Sequence, residues 1–280
     1  MSDGKLRIAT CQFSECWQPR RNAAIIRRYI RQAKRRRADV VHFHECALSG
    51  YKGAIASADY DWPALHEAME SVLAEAKRRR IWVILGSSHP LTPPHKPHNS
   101  LYLISPAGRV VDRYDKRFCM SGELDFYTPG DHYVTFRIRG VKCTLLICYD
   151  LRFPELYADL YRMGVRVVFQ SFHNGRMDGP GIHEHIMTQT LQGHAGINAM
   201  WISAPNSSAH YSRWGSVFIG PDGRIAGRLP RNRAGVMVNA VDLRGKFYDA
   251  GSTFRSLALR GILHTGRCVS DSRSRRRRSY

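Results

Sequence analysis

The chain has 280 residues, 43% of them hydrophobic, and a formal net charge of +20. This length and apolar content allow one large α/β domain, or two small ones, with a substantial core. No apolar run approaches the roughly 18 residues of a membrane-spanning helix, and no apolar signal segment follows the charges at the N-terminus. The seven cysteines are odd in number and several lie in apolar runs, which indicates reduced thiols. We therefore expect a cytoplasmic protein with no membrane association.

The excess of basic residues occurs in short runs. Arginine runs at 35–37 and 78–80 end predicted helices, where cations complement the helix dipole, and a third lies at 275–278. A charge of this size invites a nucleic-acid hypothesis, but its distribution argues against nucleic acid as the main partner. A basic surface that attracts acidic substrates or partners fits the pattern better.

Hydrophobic periodicity predicts strands and helices that alternate along the chain. In the segment 22–37, Ile26, Ile30 and Ala33 share one face and arginines cover the other, which is typical of an amphipathic helix. The Pro- and His-rich segment 88–99 is typical of a loop. In chain order, we predict strand 6–12, helix 22–37, strand 40–43, helix 63–80, strands 81–86, 101–104, 109–114, 134–138 and 141–147, helix 154–163, strand 165–170, helix 183–198, and strands 201–204, 217–219, 224–226 and 236–241.

This order of elements predicts a single α/β domain with mixed sheets over residues 1–265. Strand and helix alternate first, hairpins follow, and no linker interrupts the pattern before residue 265. Residues 266–280 are rich in Arg and Ser and poor in apolar residues. A segment of that composition cannot bury enough apolar surface to fold, so we predict a disordered basic tail.

Three reactive side chains follow three predicted strands. Cys148 ends the apolar run 141–147, Glu45 comes two residues after strand 40–43, and Lys116 comes two residues after strand 109–114. An α/β fold places its working residues at the ends of its strands. A thiol, a carboxylate and an ammonium at such positions suit covalent acyl chemistry, because a nearby ammonium favours the nucleophilic thiolate.

Each of these residues also has a structural alternative. A buried cysteine is common in cores, and we assign Cys11 and Cys143 to the core. The pairs His42/His44 and His183/His185 raise the alternative of a metal hydrolase. On a helix, however, residues two apart point in different directions, unlike the pairs four apart that bind zinc. We therefore predict neither a metal nor a cofactor.

The three segments, in this order, resemble the nitrilase (carbon-nitrogen hydrolase) superfamily. Its pattern has a Glu ahead of a small-Gly-Tyr turn, then a Lys after a strand, then a Cys followed by a Tyr-Asp pair; here these are Glu45 with Tyr51, Lys116, and Cys148 with Tyr149. The resemblance runs from about residue 6 to residue 243. It implies an α/β fold in the form of a four-layer α-β-β-α sandwich, and a homodimer, or a higher homo-oligomer, in which helix layers pack together.

The resemblance also implies a role for each catalytic residue. Cys148 attacks the substrate carbon, and Glu45 is the base that takes the thiol proton, gives it to the leaving amine and later activates water. Lys116 and the backbone N–H of Tyr149 stabilise the oxyanion. Glu123 matches a second Glu that assists in many members.

Some positions depart from the family pattern. His44 stands where many members have Pro, and we expect it to form a hydrogen bond near Glu45. The loop that follows strand 165–170 lies where members line the substrate pocket. The residues that we predict to bind substrate are Tyr51, Tyr149, His173, Asn174 and Arg176.

We therefore predict a cysteine-dependent hydrolase of non-peptide C–N bonds that acts through a thioester acyl-enzyme. The first hypothesis is an amide or N-carbamoyl substrate, with release of ammonia or an amine. The alternative is a nitrilase that converts a nitrile to an acid and ammonia. A third hypothesis, from a different class, is a non-catalytic protein that kept the fold and binds polyanions.

Overall fold

The computed structural model describes residues 5–51 and 60–278 of the chain. It divides into two compact units, one ending at Tyr248 and the other beginning at Asp249. The predicted end of the domain at residue 265 stays a prediction.

The described part of the first unit, residues 5–51 and 60–248, contains two six-stranded sheets and four α-helices. The first sheet has the strand order β12-β1-β2-β3-β4-β5, and the second has the order β11-β10-β9-β8-β7-β6. The elements are β1 (Lys5–Gln12), α1 (Pro19–Arg35), β2 (Val40–His42), α2 (Trp62–Arg79), β3 (Trp82–His89), β4 (His98–Ile104), β5 (Val110–Asp115), β6 (Thr135–Ile138), β7 (Val141–Ile147), α3 (Pro154–Arg162), β8 (Val167–Ser171), α4 (His183–Asn198), β9 (Trp201–Ala204), β10 (Val217–Ile219), β11 (Ile225–Arg228) and β12 (Gly235–Asp242).

Every strand and helix predicted in this unit is present, with small shifts at the ends. The largest difference concerns the predicted loop 88–99, because β3 continues to His89 and β4 already begins at His98. His89 and His98 pair across the two antiparallel strands. Pairing with a neighbouring strand satisfies the backbone of this polar sequence, so the tertiary context outweighs its low strand propensity.

Successive residues along the strands belong to two different core clusters, and this alternation produces the four layers. Ile8 and Ile84 belong to a core cluster that also contains residues of the second sheet and of α3 and α4. Their neighbours Ala9 and Val83 belong to a second cluster, formed with α1 and α2. Successive strand residues point to opposite faces, so the first sheet packs against the second sheet on one side and against helices on the other. The predicted four-layer α-β-β-α sandwich is confirmed.

Polar side chains join the two sheets where they face each other. Thr10 of β1 lies 2.8 Å from the hydroxyl of Ser203 in β9. The ring of His42 contacts Ser203 through Nδ1 and Ser171 through Nε2, both at 2.9 Å. Burial holds the pKa of His42 well below its ordinary value, so this histidine is a neutral, hydrogen-bonded core residue.

The second unit contains two four-residue helices, α5 (Arg255–Ala258) and α6 (Ser272–Arg275). The carboxylate of Asp271 caps α6 by accepting hydrogen bonds from the backbone N–H groups of Arg273 and Ser274. The predicted disorder of residues 266–280 stays a prediction. Across residues 5–51 and 60–278, none of the helices combines the length and the apolar character needed to span a bilayer.

Candidate active site

Glu45, Lys116 and Glu123 meet in a buried cluster at the ends of the strands. Lys116 Nζ lies 3.0 Å from Glu45 Oε1 and 2.7 and 2.8 Å from the two carboxylate oxygens of Glu123. These three residues are at most 1% exposed, and Cys148 is 8% exposed. Strand ends predicted that Glu45, Lys116 and Cys148 come together, and the family resemblance added Glu123; in the structure Lys116 directly contacts both carboxylates.

The turn that carries Glu45 requires a close approach between two backbone segments. Leu48 N–H donates to the carbonyl of Gly86 at 2.9 Å. A Cβ atom at Gly86 would lie 2.2 Å from the carbonyl oxygen of His44, so only glycine fits there. The ring of His44 contacts the carbonyl oxygen of Glu45 through Nδ1 at 3.0 Å, which confirms the predicted hydrogen bond.

Asn99 orients the Glu45 carboxylate, a role that was not predicted from the sequence. Its Nδ2 donates to Glu45 Oε1 at 2.7 Å, and its Oδ1 accepts from the Cys46 thiol at 3.4 Å. Glu45 Oε1 therefore has two donors, Asn99 and Lys116. Glu45 Oε2 is buried and has no hydrogen-bond partner among the described residues. Oε2 is thus the oxygen that can take a proton.

Asp150 holds the turn that presents Cys148. This turn follows β7 directly, and Cys148 has a positive φ of 41°. Asp150 accepts hydrogen bonds from the backbone N–H groups of Ile147 and Phe118, at 2.9 and 3.0 Å, and from the Tyr114 hydroxyl at 2.8 Å. Because Tyr114 and Phe118 flank Lys116 in the chain, the hydrogen bonds of Asp150 connect the turn that contains Cys148 to the segment that contains Lys116.

The environment keeps the Cys148 thiol protonated in the resting site. Burial and the Glu45 carboxylate raise the pKa of Cys148 well above its ordinary value, and Lys116 and the backbone of His173 only partly oppose them. The Lys116 ammonium does favour the thiolate, as predicted, but burial and the Glu45 carboxylate outweigh its effect. The physical reason is that the ammonium is shared by two carboxylates in a site that excludes water. The thiol therefore needs a base at the moment of attack.

Lys116 keeps its charge in this setting. Burial acts to lower its pKa, but the surrounding acidic groups, led by Glu45, raise it well above its ordinary value. Burial likewise acts to raise the pKa of Glu123, yet Lys116 outweighs this and holds that pKa below its ordinary value. The site thus contains a buried ammonium and an ionised Glu123 beside a protonated thiol.

The predicted substrate-binding residues take different positions. Tyr51 donates to Glu123 Oε1 at 2.8 Å, and its ring stacks on that of His173 with 4.5 Å between centroids. The ring of Tyr149 meets Phe153 edge to face at 5.6 Å. Tyr51 and His173 therefore adjoin the charged cluster, and the roles of all five residues in substrate binding stay predictions.

Asn174 and Arg176 are also held by protein partners. Asn174 Oδ1 accepts from the indole N–H of Trp214 at 2.7 Å. Arg176 Nε lies 3.2 Å from Glu15 Oε1. Glu15 was not predicted as a site residue, although its position three residues after β1 is a strand-end signal of the same kind. Among the described residues, no group of three or more His, Cys, Asp or Glu side chains could hold a metal ion.

Comparison with known families decides the class of this chain. The family model described as carbon-nitrogen hydrolase matches residues 7–245. The chain belongs to the carbon-nitrogen hydrolase family. The predicted resemblance is confirmed, and the match includes each of the candidate catalytic residues.

Several curated proteins are similar to this carbon-nitrogen hydrolase. It is 31% identical over 156 residues to an (R)-stereoselective amidase from Pseudomonas sp, and the alignment covers 55% of each chain. It is 26% identical over 226 residues to the omega-amidase NIT2 of Homo sapiens, and this alignment covers 77% of this chain and 81% of that protein. The matched region thus spans about half the length of the Pseudomonas relative.

The fold is also similar to that of a solved amidase. A mutant of the amidase from Nesterenkonia AN1, described as a member of the nitrilase superfamily, aligns with a TM-score of 0.77 and 21% identity. The alignment covers 92% of this chain and 97% of that one. At this level of identity the likeness shows the fold, and it agrees with the four-layer sandwich described above.

Asp150 gives this carbon-nitrogen hydrolase a predicted dependence of stability on pH. Burial raises the pKa of Asp150 to about 6, whereas the unfolded chain releases this proton near pH 4. Between these values the folded state holds more protons, so the free energy of unfolding falls as the pH rises, by up to about 3 kcal/mol. We expect Asp150→Asn, which cannot ionise, to lose this slope. Urea unfolding of the wild type and of Asp150→Asn from pH 4 to pH 7 measures the free energy of unfolding at each pH. If the two proteins showed the same dependence on pH, Asp150 would not be the titrating group.

Proposed function

We propose that this carbon-nitrogen hydrolase is an amidase with Cys148 as its nucleophile and Glu45, Lys116 and Glu123 as its charged partners. One observation carries the proposal: a single buried ammonium lies within 3.0 Å of two carboxylates. Burying three charges is costly, and perturbed, buried titratable groups concentrate at functional sites. The arrangement fits acyl transfer, which needs a base, an oxyanion partner and a nucleophile.

The first half-reaction forms the acyl-enzyme. Glu45 Oε2 takes the proton of the Cys148 thiol while the sulfur attacks the substrate carbonyl carbon. The negative charge that develops on the carbonyl oxygen is stabilised by Lys116 Nζ and by the backbone N–H of Tyr149. A single donor of this kind contributes on the order of 3 kcal/mol to lowering the barrier. The C–N bond then breaks, the nitrogen takes the proton from Glu45, and ammonia or an amine leaves a thioester on Cys148.

The second half-reaction regenerates the enzyme. Water enters where the amine left, and Glu45 takes one of its protons while the oxygen attacks the thioester carbon. The C–S bond breaks, the acid leaves, and the proton on Glu45 returns to the sulfur. Glu45 acts as base and acid in turn, and its free oxygen Oε2 suits both steps.

Glu123 supports this cycle by holding the ammonium in place. It contacts Lys116 Nζ with both oxygens and also accepts hydrogen bonds from the Tyr51 hydroxyl and the backbone N–H of Met120, at 2.8 and 2.9 Å. An ammonium fixed in advance needs no reorganisation when charge develops on the substrate. This pre-organisation supports a catalytic role for Glu123 through Lys116.

The substrate class that we propose is an amide, because proteins named as amidases are among the similar relatives. The test is ammonia release from a panel of primary amides, N-carbamoyl compounds and nitriles. We expect turnover of amides. Turnover of nitriles alone would favour a nitrilase, and turnover of N-carbamoyl compounds alone would favour a carbamoylase. If the protein hydrolysed none of them and bound nucleic acid with a steep salt dependence, the polyanion-binding hypothesis would replace the proposal.

We also propose a homodimer and a cytoplasmic location. Ile182, just before α4, and Ile197, in its last turn, are 63% and 69% exposed, which supports an interface on this helix layer. Light scattering of the purified protein measures the oligomeric state, and a monomer at micromolar concentration would contradict the dimer. The seven cysteines are all free, which supports a reducing compartment; cell fractionation tests it.

A further inference from the structure

A cavity on the helix side of the first sheet has no role in the mechanism above. It has a volume of about 240 Å³ and lies between α2 and the strands β3 and β4. Its lining includes Trp62, Leu65 and Met69 of α2, Ser87 and His89 of β3, and Tyr102 of β4. His66 of α2 also lines the cavity and is exposed, so a molecule can reach it from the solvent.

The size and the lining of the cavity define the class of molecule that fits it. A cavity of roughly 150 Å³ takes one benzene ring, so this one has room for two fused rings. Flat rings also match the aromatic side chains of Trp62 and Tyr102 in its walls.

The lining favours a neutral molecule. None of the described residues that line the cavity is Lys, Arg, Asp or Glu. His89 is uncharged, because burial and the neighbouring Arg113 hold its pKa below its ordinary value, and Arg113 Nη1 donates to its Nε2 at 2.6 Å. A charged ligand would lose hydration in this cavity without gaining an oppositely charged partner.

Two walls of the cavity are connected through Ser49 to the segment that carries Glu45. Ser88 of β3 also lines the cavity, and its backbone N–H donates to the Ser49 hydroxyl at 2.9 Å. On the α2 side, the ring of Trp62 contacts that of Tyr60 at 4.9 Å, and the Tyr60 hydroxyl donates to the carbonyl of Ser49 at 2.9 Å. Ser49 is buried and comes four residues after Glu45. A molecule that fills the cavity therefore acts on two contacts that hold this segment.

The packing of β3 against the same segment leaves little room for independent movement. A Cβ atom at Gly86 would lie 2.2 Å from the carbonyl oxygen of His44, and the Gly86 carbonyl accepts from Leu48 N–H at 2.9 Å. A shift of β3 is therefore passed on to the backbone on both sides of Glu45. In this arrangement Glu45 contacts Lys116, and a ligand stabilises the arrangement that it fits.

We propose that this cavity binds a neutral molecule of one or two fused aromatic rings, and that the bound molecule raises the activity of the enzyme. The binding site goes beyond the proposed amidase function, and only the effect on activity rests on that function. The bound molecule stabilises the segment 45–49 with Glu45 beside Lys116, as proton transfer requires. None of the described lining residues belongs to the proposed catalytic set, so the ligand and the amide can bind together.

The test uses indole, a neutral molecule with two fused rings, as the probe. Calorimetric titration should show one indole bound per chain, with a Kd below about 1 mM for a ligand of this size. An indole carboxylate, which has the same rings and a negative charge, should not bind. At a saturating concentration of a primary amide, indole should raise kcat about fivefold, the lower end of typical coupling between two sites.

Two substitutions separate binding from coupling. Met69→Trp fills the cavity and should abolish both the binding of indole and the rise in kcat. Ser49→Ala removes the hydroxyl that accepts from Ser88, so it should bind indole like the wild type but show a smaller rise in kcat. The control is Met163→Trp, the same change at an exposed residue just after α3, which should respond to indole like the wild type.

The outcomes distinguish the site, the coupling and the amidase function. Absence of indole binding, or equal binding by Met69→Trp, would overturn the site. Bound indole with an unchanged or lowered kcat, or with an equal rise in Ser49→Ala, would overturn the coupling. If the wild type hydrolysed no amide, the proposed function would fail, and the titration would still decide whether the cavity binds indole. If Met69→Trp does not fold, as judged by thermal melting, Leu65→Trp fills the cavity in its place.

Discussion

Replacing Cys148 with alanine is expected to lower kcat for amide hydrolysis by about a million-fold, as observed when a covalent nucleophile is removed. Without the sulfur no acyl-enzyme forms, and the remaining charged cluster has no nucleophile to activate. The substitution removes one sulfur atom from a residue that is 8% exposed, so the fold should persist. Initial rates of ammonia release by the two proteins, at matched concentration, measure the effect.

The matched control for this substitution is Cys143→Ala. Cys143 lies in β7 five residues before Cys148, is fully buried, and its thiol contacts the carbonyl of Val141 at 3.4 Å. Its replacement should cost about 1 kcal/mol of stability and leave kcat unchanged. Activity that survived in Cys148→Ala, or that was lost equally in both variants, would show that Cys148 is not the nucleophile.

Lys116→Met is expected to have the second largest effect, and it should act on both activity and stability. Loss of the oxyanion partner should lower kcat about 100- to 1,000-fold. Two buried carboxylates, Glu45 and Glu123, would then face each other without a cation, which should destabilise the fold by about 3 to 5 kcal/mol. Steady-state kinetics and urea unfolding at pH 7 measure the two effects separately.

The control for this change is Lys142→Met. Lys142 is partly exposed and donates to the carbonyl of Met163, away from the acidic cluster. It should change neither kcat nor stability appreciably. Because the lowered pKa of Glu123 depends on Lys116, acidification should recover part of the stability of Lys116→Met as the carboxylates take up protons. A Lys116→Met protein with wild-type stability at pH 7 would contradict the buried ion cluster.

The sequence allows the main site to be predicted because its residues follow strands. Glu45, Lys116 and Cys148 each follow a strand, and strand ends on one side of a sheet lie together. The four-layer arrangement and Glu123 came with the family resemblance, since no periodicity in the sequence indicates how two sheets face each other. That facing brings Glu45 of the first sheet and Cys148 of the second into one site.

The supporting residues could not be predicted in the same way. Asn99, Asp150 and Glu15 form hydrogen bonds with residues that are distant in the chain, and the bonds to Glu45, Phe118 and His173 span 54, 32 and 158 residues. Such contacts depend on side-chain rotamers and on the exact turn geometry, for which the sequence has no period or motif. The sequence predicts that the Lys116 ammonium favours the thiolate, but it does not show that burial and the Glu45 carboxylate outweigh this effect, because that balance depends on distances in the folded site.

The most direct test of the central claim is the intact mass of the protein, quenched in acid during turnover of the best amide of the panel. We predict an added acyl group on the wild type that maps to Cys148, and no added mass on Cys148→Ala. Amide turnover by Cys148→Ala at the wild-type rate, with no adduct on the wild type, would contradict the thioester mechanism.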